Sequence, residues 1–325
     1  MNSYSKITTV KFVNSNQQQA GSVAVLLCSY NGERYLKEQL DSIFSQSHGN
    51  FRVYVSDDGS KDSTQELLDK YGDEFRSRHV DRFAGPGQGF ARNFLSISCR
   101  DDIKADYYAW CDQDDIWHPE KLARAVTRLS SVPEGVPALY CARTELVDQD
   151  GQHLGFSPVY SRSACFRNAL VQNIAGGNTM VLNDALMKLL REAGNNATIV
   201  SHDWWAYMIV TGCGGVVLYD SEPSVLYRQH GQNCVGSNSG VLPNLKRVRQ
   251  LLKGRFKSWM DLNIEALKLV SHNFTPENQS ILRQFSEARR ASVFFRLLKL
   301  KQSGVYRQTF IGNAGLFLAA LLGRV

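Results

Sequence analysis

Three carboxylates stand within four positions of this chain, at Asp112, Asp114 and Asp115, directly after the apolar run 107–111. Side chains of an extended segment alternate between two faces, so the spacing predicts that Asp112 and Asp114 share one face. Two carboxylates on one face can bind a hard divalent cation such as Mg²⁺ or Mn²⁺, whose remaining ligands are often substrate phosphates. The pattern therefore indicates a metal-assisted site for a nucleotide diphosphate.

The competing interpretation of this acidic stretch is a solvated turn ahead of a helix that begins near Pro119. Trp110, Ile116 and Trp117 flank the charges, and large apolar side chains so close in sequence disfavour a free surface loop.

Four further polar stretches have residue types that could join such a site. They are Ser29-Tyr30-Asn31-Gly32-Glu33, Asp57-Asp58-Gly59-Ser60, Ser201-His202-Asp203-Trp204-Trp205 and Tyr227-Arg228-Gln229-His230. The first two follow apolar runs and could bind a base and a ribose. The third puts a carboxylate at a predicted helix start, and the fourth ends a predicted strand with cationic or metal-ligating groups.

Hydrophobic periodicity predicts the elements that would position these stretches. The run 22–28 is continuously apolar, as in a parallel strand buried on both faces, and Leu36, Leu40, Ile43 and Phe44 then form one helical stripe. Next come strand 51–56 and a capped helix. They are followed by the glycine turn 85–89, helix 90–98 and the strand before Asp112. This order predicts a doubly wound α/β sheet with ligands at the carboxyl ends of its strands.

The second half is predicted to be more varied. We expect strands at 138–142, 176–182, 215–219 and 224–228, helices at 184–192 and 203–210, and amphipathic helices over 241–313. The sequence divides into a disordered segment 1–20, a catalytic domain 21–235 and a basic helical region 236–325.

Charge is unevenly distributed along the chain. Residues 241–325 contain 15 of the 37 Lys and Arg but only 4 of the 31 Asp and Glu, a net charge of +11. Such a surface suits an anionic neighbour, either nucleic acid or the cytoplasmic leaflet of a membrane, although a solvated helical face is the simpler interpretation. No apolar run reaches the length of a bilayer span and residues 1–20 lack a signal-peptide core, so we expect a cytoplasmic protein.

Five segments in register resemble the inverting family 2 glycosyltransferases of the GT-A fold, and most closely the bacterial rhamnosyltransferase-like branch. They are 29–33, 40–46, 56–60, Gly89 to Asn93, and Trp110-Cys-Asp-Gln-Asp-Asp-Ile-Trp117, and the resemblance covers residues 22 to about 235. It implies a Rossmann-like, mainly parallel sheet flanked by helices, with a C-terminal helical extension.

The resemblance also implies roles for individual residues. Contacts to the nucleotide sugar are expected at Ser29, Tyr30, Asn31, Glu33, Asp57, Asp58, Arg92, Asn93, Asp112 and Gln113. Metal ligands are expected at Asp112, Asp114 and His230, the catalytic base at Asp203, and acceptor or donor-sugar contacts at Gly177, Asn178, His202, Trp204 and Trp205. His202 could equally cap or pack, and the two tryptophans could be core residues.

One departure concerns the predicted base, because many relatives carry Glu-Asp where this chain has His202-Asp203. The chain also lacks a Gln-x-x-Arg-Trp motif after Asp203, which argues against the processive polymer synthases of the family.

The resulting expectation is an Mg²⁺- or Mn²⁺-dependent transfer of one sugar, with inversion. The implied donor is dTDP-L-rhamnose, or else a UDP-sugar, and the acceptor is a saccharide or lipid-linked saccharide such as O antigen. We expect peripheral association with the inner membrane through the basic region, and no nucleic-acid partner. A nucleotidyltransferase is disfavoured because residues 22–35 lack its glycine- and arginine-rich signature. A non-enzymatic nucleic-acid-binding protein is the remaining alternative.

Overall fold

The computed structural model describes residues 21–74, 80–195, 197–230 and 254–325. The predictions for residues 1–20, for the helical pattern over 241–253 and for a boundary between residues 235 and 236 lie outside these ranges.

The first half alternates strands and helices as the periodicity predicted. Its elements are β1 (Val23–Ser29), α1 (Leu36–Phe44), β2 (Phe51–Asp57), α2 (Thr64–Glu74), β3 (Val80–Ala84), α3 (Phe90–Ser98) and β4 (Tyr107–Cys111). The short strand β3, which precedes the glycine turn, was not predicted. Its residues are all partly exposed at the end of the sheet, so it has no buried apolar run that sequence reasoning could detect.

The second half differs more from expectation. It contains β5 (Ile116–Trp117), α4 (Lys121–Leu129), β6 (Ala138–Val147), β7 (His153–Phe156), α5 (Phe166–Ala169), β8 (Val181–Asn183), α6 (Asp184–Ala193), α7 (His202–Gly212) and β9 (Val216–Arg228). The prediction of two strands at 215–219 and 224–228 was wrong, because β9 is continuous and follows β6 through one shift in register. The predicted strand 176–182 is a 3₁₀ turn, Gly177–Thr179, followed by the short β8.

The strands form one mixed sheet in the order β3-β2-β1-β4-β8-β6-β9-β5, with β7 beside β6. Strands β1 to β4 are mutually parallel, β8 runs antiparallel to β4, and β6 and β9 are parallel to each other. The predicted α/β class is confirmed. The carboxyl ends of β1, β2 and β4 therefore lie along one edge of the sheet, where the polar stretches begin.

Helices cover both faces of the sheet. Along β1, Ala24, Leu26 and Cys28 join one apolar core and the alternate residues of the strand join the other. The first core includes side chains of α3, α6 and α7, and the second includes those of α1, α2 and α4. Burial on both faces explains why β1 reads as a continuous apolar run.

The chain ends in the helices α8 (Arg255–Val270), α9 (Pro276–Arg290), α10 (Val293–Ser303) and α11 (Phe310–Leu321). Met260, Leu267 and Phe285 belong to the same core as Trp205 of α7, so these helices pack onto the α/β part of the molecule. Among the described residues, no helix is both long and apolar enough to cross a membrane.

Candidate active site at the carboxyl edge of the sheet

The loops that follow β1 and β2 are bonded to each other. The Asn31 carboxamide oxygen accepts from the Lys61 amide at 2.9 Å, and the Glu33 carboxylate accepts from the Ser63 amide at 3.0 Å. The Asn31 amide in turn donates to Ser60 Oγ at 2.8 Å. The side chains of Asn31 and Glu33 thus stabilise the shape of the predicted nucleotide cleft.

Asp57 is the acceptor at the centre of these loops. Its carboxylate receives hydrogen bonds from the hydroxyls of Ser29 and Ser60, at 2.8 and 2.6 Å, and from the Ser60 amide at 2.8 Å. Burial alone would raise the pKa of Asp57, but these hydrogen bonds favour the charged form more strongly and lower the pKa below its ordinary value. Asp57 is therefore an ionised carboxylate that fixes the loop.

Asp58 organises the glycine turn. Its two carboxylate oxygens accept from the amides of Gly87 and Gly89, each at 2.7 Å. Gly85 has no room for a side chain, because a Cβ there would lie 2.8 Å from Asp58 Oδ1. The turn that sequence reasoning treated only as a glycine-rich connection is thus attached to the predicted ribose-binding residue.

Gln113 connects β1 to the acidic stretch. It accepts from the Tyr30 amide at 2.8 Å and donates to the Tyr30 carbonyl at 3.0 Å. A Cβ on Gly32 would collide with the Gln113 side chain, which explains the glycine in the first motif. The phenol ring of Tyr30 is 55% exposed and so presents a free face at this edge.

Acidic side chains from two segments lie near the end of β4. Burial, together with the negative charges of Asp114 and Asp203, raises the pKa of Asp112 to about 7. The ring of His202 meets the edge of Trp110 in β4, so α7, with Asp203 in its first turn, begins beside the acidic stretch. The proximity of Asp112 and Asp114 does not come from strand alternation, as was predicted, because β4 ends at Cys111 and both residues lie in the following turn.

Asp114 and His230, both expected to be metal ligands, contact each other. His230 Nε2 lies 2.8 Å from Asp114 Oδ2, and both side chains are partly buried. Two neighbouring ligands of an octahedral ion bound at about 2.0–2.1 Å lie about 3 Å apart, so the pair suits Mg²⁺ or Mn²⁺. Within the described ranges no three or more His, Cys, Asp and Glu side chains form a complete metal cage.

A buried polar network under this site was not predicted. Asp115 is 1% exposed and accepts from the Asn178 carboxamide at 2.5 Å, and the fully buried Lys121 donates to the Asn178 carbonyl. Burial lowers the pKa of Lys121 to about 7, against the opposing effect of Cys111, Asp115 and Asp112. The solvated-turn interpretation is therefore wrong, and the predicted sugar contact of Asn178 is replaced by an internal role.

Arg228, a cationic residue of the fourth polar stretch, lies next to Asp114. Its guanidinium is 2% exposed, binds Glu38 Oε2 at 2.6 Å and lies 4.6 Å from the ring centre of Tyr35. It also donates to the Asp114 carbonyl at 3.2 Å, while its own amide donates to Asp115. Its place in this stretch at a strand end was predicted, but its contacts with Glu38 and Tyr35 were not.

His202 is buried at the base of the site. Its ring stacks on Phe94 at 3.9 Å and meets the edge of Trp110 at 4.7 Å, and burial lowers its pKa to about 4. Neither ring nitrogen has a hydrogen-bond partner among the described residues. A Cβ on Gly177 would collide with His202 Nε2, so the glycine is required by the imidazole.

Asp203 follows in the first turn of α7. Its Oδ1 accepts from Ser201 Oγ at 2.5 Å and from the Trp204 amide at 2.6 Å, which fixes the orientation of the carboxylate.

Four of the predicted contact residues pack or bond within the protein. Trp205 is fully buried, and the Trp204 indole is 6% exposed and donates to the Ala169 carbonyl, so neither offers a ring face to a sugar. Asn93 is buried and exchanges hydrogen bonds with Ser56, so its side chain stabilises the end of β2. Arg92 donates to the carbonyl of Asn195.

Comparison with known proteins agrees with this geometry. The family model described as glycosyl transferase family 2 matches residues 24–190. A dTDP-rhamnosyl transferase, RfbG of Shigella flexneri, is 27% identical over 237 residues, which is 68% of this chain and 78% of that protein. A glycosyltransferase of Rickettsia prowazekii, RP339, is 30% identical over 81% of this chain and 80% of its own length.

Solved structures show the same fold at lower identity. TarS of S. aureus in complex with UDP-GlcNAc is 15% identical with a TM-score of 0.53, covering 93% of this chain and 90% of that one. GalNAc-T7 with UDP, GalNAc and Mn²⁺ is 12% identical with a TM-score of 0.54, covering 89% and 55% respectively.

Proposed function

The chain belongs to glycosyltransferase family 2, and from that premise we propose that it transfers a single sugar from a nucleotide donor to a hydroxyl group, with inversion at the anomeric carbon. The observation that carries the proposal is that α7 begins beside the acidic turn after β4. The ring of His202 contacts Trp110 of β4, and Asp203 adds to the negative charge around Asp112. The loops after β1 and β2, bonded through Asp57, would bind the nucleotide beside them.

We propose dTDP-L-rhamnose as the donor and a saccharide or lipid-linked saccharide, such as O antigen, as the acceptor. The support for this donor is the similarity to RfbG, which is described as a dTDP-rhamnosyl transferase. A UDP-sugar is the second candidate, since TarS, which shares the fold, binds UDP-GlcNAc. A lipid-linked acceptor would place the enzyme at the cytoplasmic face of the inner membrane.

The proposed cofactor is Mg²⁺ or Mn²⁺, held by Asp114 and His230 with Asp112 close by. A bound divalent ion supplies Lewis-acid chemistry and neutralises charge on a departing diphosphate. The protein keeps Asp112 beside other carboxylates in a buried setting, where a cation is the partner that would relieve their repulsion.

The chain's own contribution to bond making is the proposed base, Asp203. Its carboxylate takes the proton of the acceptor hydroxyl as the oxygen attacks the anomeric carbon, and the nucleotide diphosphate leaves from the opposite face. Ser201 and the Trp204 amide hold that carboxylate in one orientation during the transfer. Attack opposite to the leaving group is what inverts the configuration.

A thermal-shift screen tests the proposal. Nucleotides that bind only the folded protein raise its melting temperature. We expect dTDP-rhamnose with Mn²⁺ to stabilise the protein more than Mn²⁺ alone, and UDP-sugars to do so less. Stabilisation by a UDP-sugar alone would select the second candidate, and no stabilisation by any nucleotide sugar would contradict the proposed function.

A further inference from the structure

The last 33 residues carry an unusual combination of exposed apolar and basic side chains. Ten of the seventeen large apolar side chains that are exposed in the described structure lie there: Val293, Phe294, Phe295, Leu298, Phe310, Ile311, Phe317, Leu318, Leu321 and Leu322. The same segment contains five Lys and Arg and no Asp or Glu. Large exposed apolar patches mark interaction sites in soluble proteins.

Helix α11 shows how this patch is organised. Its inner stripe, formed by Leu316, Ala319 and Ala320, is buried in the core. A second apolar stripe faces away from it and comprises Phe310, Ile311, Ala314, Phe317, Leu318 and Leu321. These six residues recur at the spacing of one helical face. Phe310 and Ile311 of this stripe are 89% and 83% exposed.

Helix α10 extends the same surface. Phe294 and Phe295 are 73% and 56% exposed near its start, and a shallow groove between the two helices is lined by Phe294, Leu298, Lys301 and Phe317. We call residues 293–325 of these two helices the apolar-basic surface. Helix α11 has 12 residues and is therefore about 18 Å long, too short for a bilayer core of about 30 Å.

We propose that the apolar-basic surface docks onto an anionic lipid bilayer, with the aromatic side chains of α10 and α11 in the interfacial layer. Charge decides between the possible occupants. A second copy of this surface would bring the five Lys and Arg of each copy together, and neither segment contains an acid, whereas an anionic leaflet is complementary. Nucleic acid would match the charge but would leave the apolar stripe of α11 exposed to water.

Hydrogen bonds connect the apolar-basic surface to α7, the helix that carries the proposed base. The buried Asn168 of α5 donates to the Tyr306 carbonyl at 2.9 Å and accepts from Gln308 at 3.2 Å, both in the loop between α10 and α11. The same Asn168 oxygen accepts from Tyr207 of α7 at 2.9 Å, one helical turn after Asp203. Docking of the apolar-basic surface would therefore also determine how α7, which carries the proposed base, is oriented relative to the membrane.

Vesicle flotation tests the inference without any sugar donor, so its outcome is independent of the proposed transfer reaction. The probes are phosphatidylcholine vesicles and vesicles in which a quarter of the lipid is phosphatidylglycerol, at about 0.1 M and about 1 M NaCl. The informative variant is Phe310→Ser/Ile311→Ser. The matched control is Leu154→Ser/Val159→Ser, because these side chains are also more than half exposed but lie on β7 and the loop after it.

We expect the wild-type chain to float with the anionic vesicles, more weakly at about 1 M NaCl because screening shortens the range of the attraction. The Phe310→Ser/Ile311→Ser variant should lose at least about tenfold in binding, and the control should bind as the wild type does. Lys301→Gln should lose about fivefold. Circular dichroism verifies that each variant is folded.

Three results would overturn the inference. The first is equal binding of the wild type to neutral and anionic vesicles, or binding that Phe310→Ser/Ile311→Ser leaves unchanged. The second is no vesicle binding together with a dimer, seen by light scattering, that the same variant dissociates. The third is salt-dependent binding to duplex DNA with none to vesicles.

Discussion

Nε2 of His230 lies 2.8 Å from Oδ2 of Asp114, although 116 residues separate the two in the chain. The contact joins the end of β9 to the turn after β4. Arg228 stabilises this contact, because its guanidinium donates to the Asp114 carbonyl and also bonds to Glu38 at the start of α1. The part of the proposed site that would hold the metal ion is thus built from three segments that are distant in the chain.

Replacing Asp114 with alanine should weaken binding of the nucleotide in the presence of Mn²⁺ by at least about tenfold, since even residues that only support metal ligands contribute 10- to 100-fold. Isothermal titration calorimetry with dTDP, with and without Mn²⁺, measures this. Asp101→Ala is the matched control, because Asp101 is an exposed aspartate on the turn before β4. Unchanged affinity in Asp114→Ala would exclude Asp114 as a metal ligand.

The raised pKa of Asp112 should appear in the stability of the protein without a metal ion. An acid whose pKa is raised from about 4 to about 7 on folding binds more protons in the folded state. Its contribution to the free energy of unfolding therefore falls as pH rises between these values. Melting temperatures in EDTA from pH 4 to pH 7 should decline less in Asp112→Asn than in the wild type. Identical slopes would show that Asp112 is not held in a repulsive, buried setting.

Gly177→Ala should disturb the site through His202. The new methyl group collides with the imidazole, which is packed against Phe94, so we expect a loss of about 1–3 kcal/mol in unfolding free energy and slower sugar transfer. Gly49→Ala is the control, because a Cβ there contacts nothing within 4 Å and the backbone is unstrained. Thermal denaturation and a transfer assay report the two effects. A Gly177→Ala protein as stable and active as the control would contradict the packing described.

The sequence was sufficient to predict the parts of the fold that depend on local pattern. The stripe of α1 is fully buried as predicted, and α3 begins and ends at Phe90 and Ser98 as the pattern indicated. Strand β3 was not predicted, because a strand at the edge of a sheet needs no apolar face. The continuity of β9 escaped notice because exposed polar residues such as Glu222 interrupt its pattern, although it pairs with β6 on both sides of them.

Site residues could be predicted from the sequence only where the residue type itself indicates the chemistry. Sequence reasoning located Asp112, Asp114, Asp203 and His230, whose residue types point to their chemistry, and the structure brings them to one edge of the sheet. Lys121 was missed because a lysine at a helix start usually faces solvent. Here Lys121 is fully buried near Asp112 and Asp115, a relationship that depends on the tertiary fold alone.

The most direct test of the central claim is the comparison of donor affinity and turnover in Asp203→Asn. We predict that dTDP-rhamnose with Mn²⁺ binds this variant as tightly as the wild type, while kcat for transfer falls by about 10²- to 10⁴-fold, the contribution of a positioned general base. Asp184→Asn, which alters a carboxylate in the first turn of α6, should leave both quantities unchanged. Near-wild-type turnover in Asp203→Asn, at undiminished donor affinity, would contradict the account.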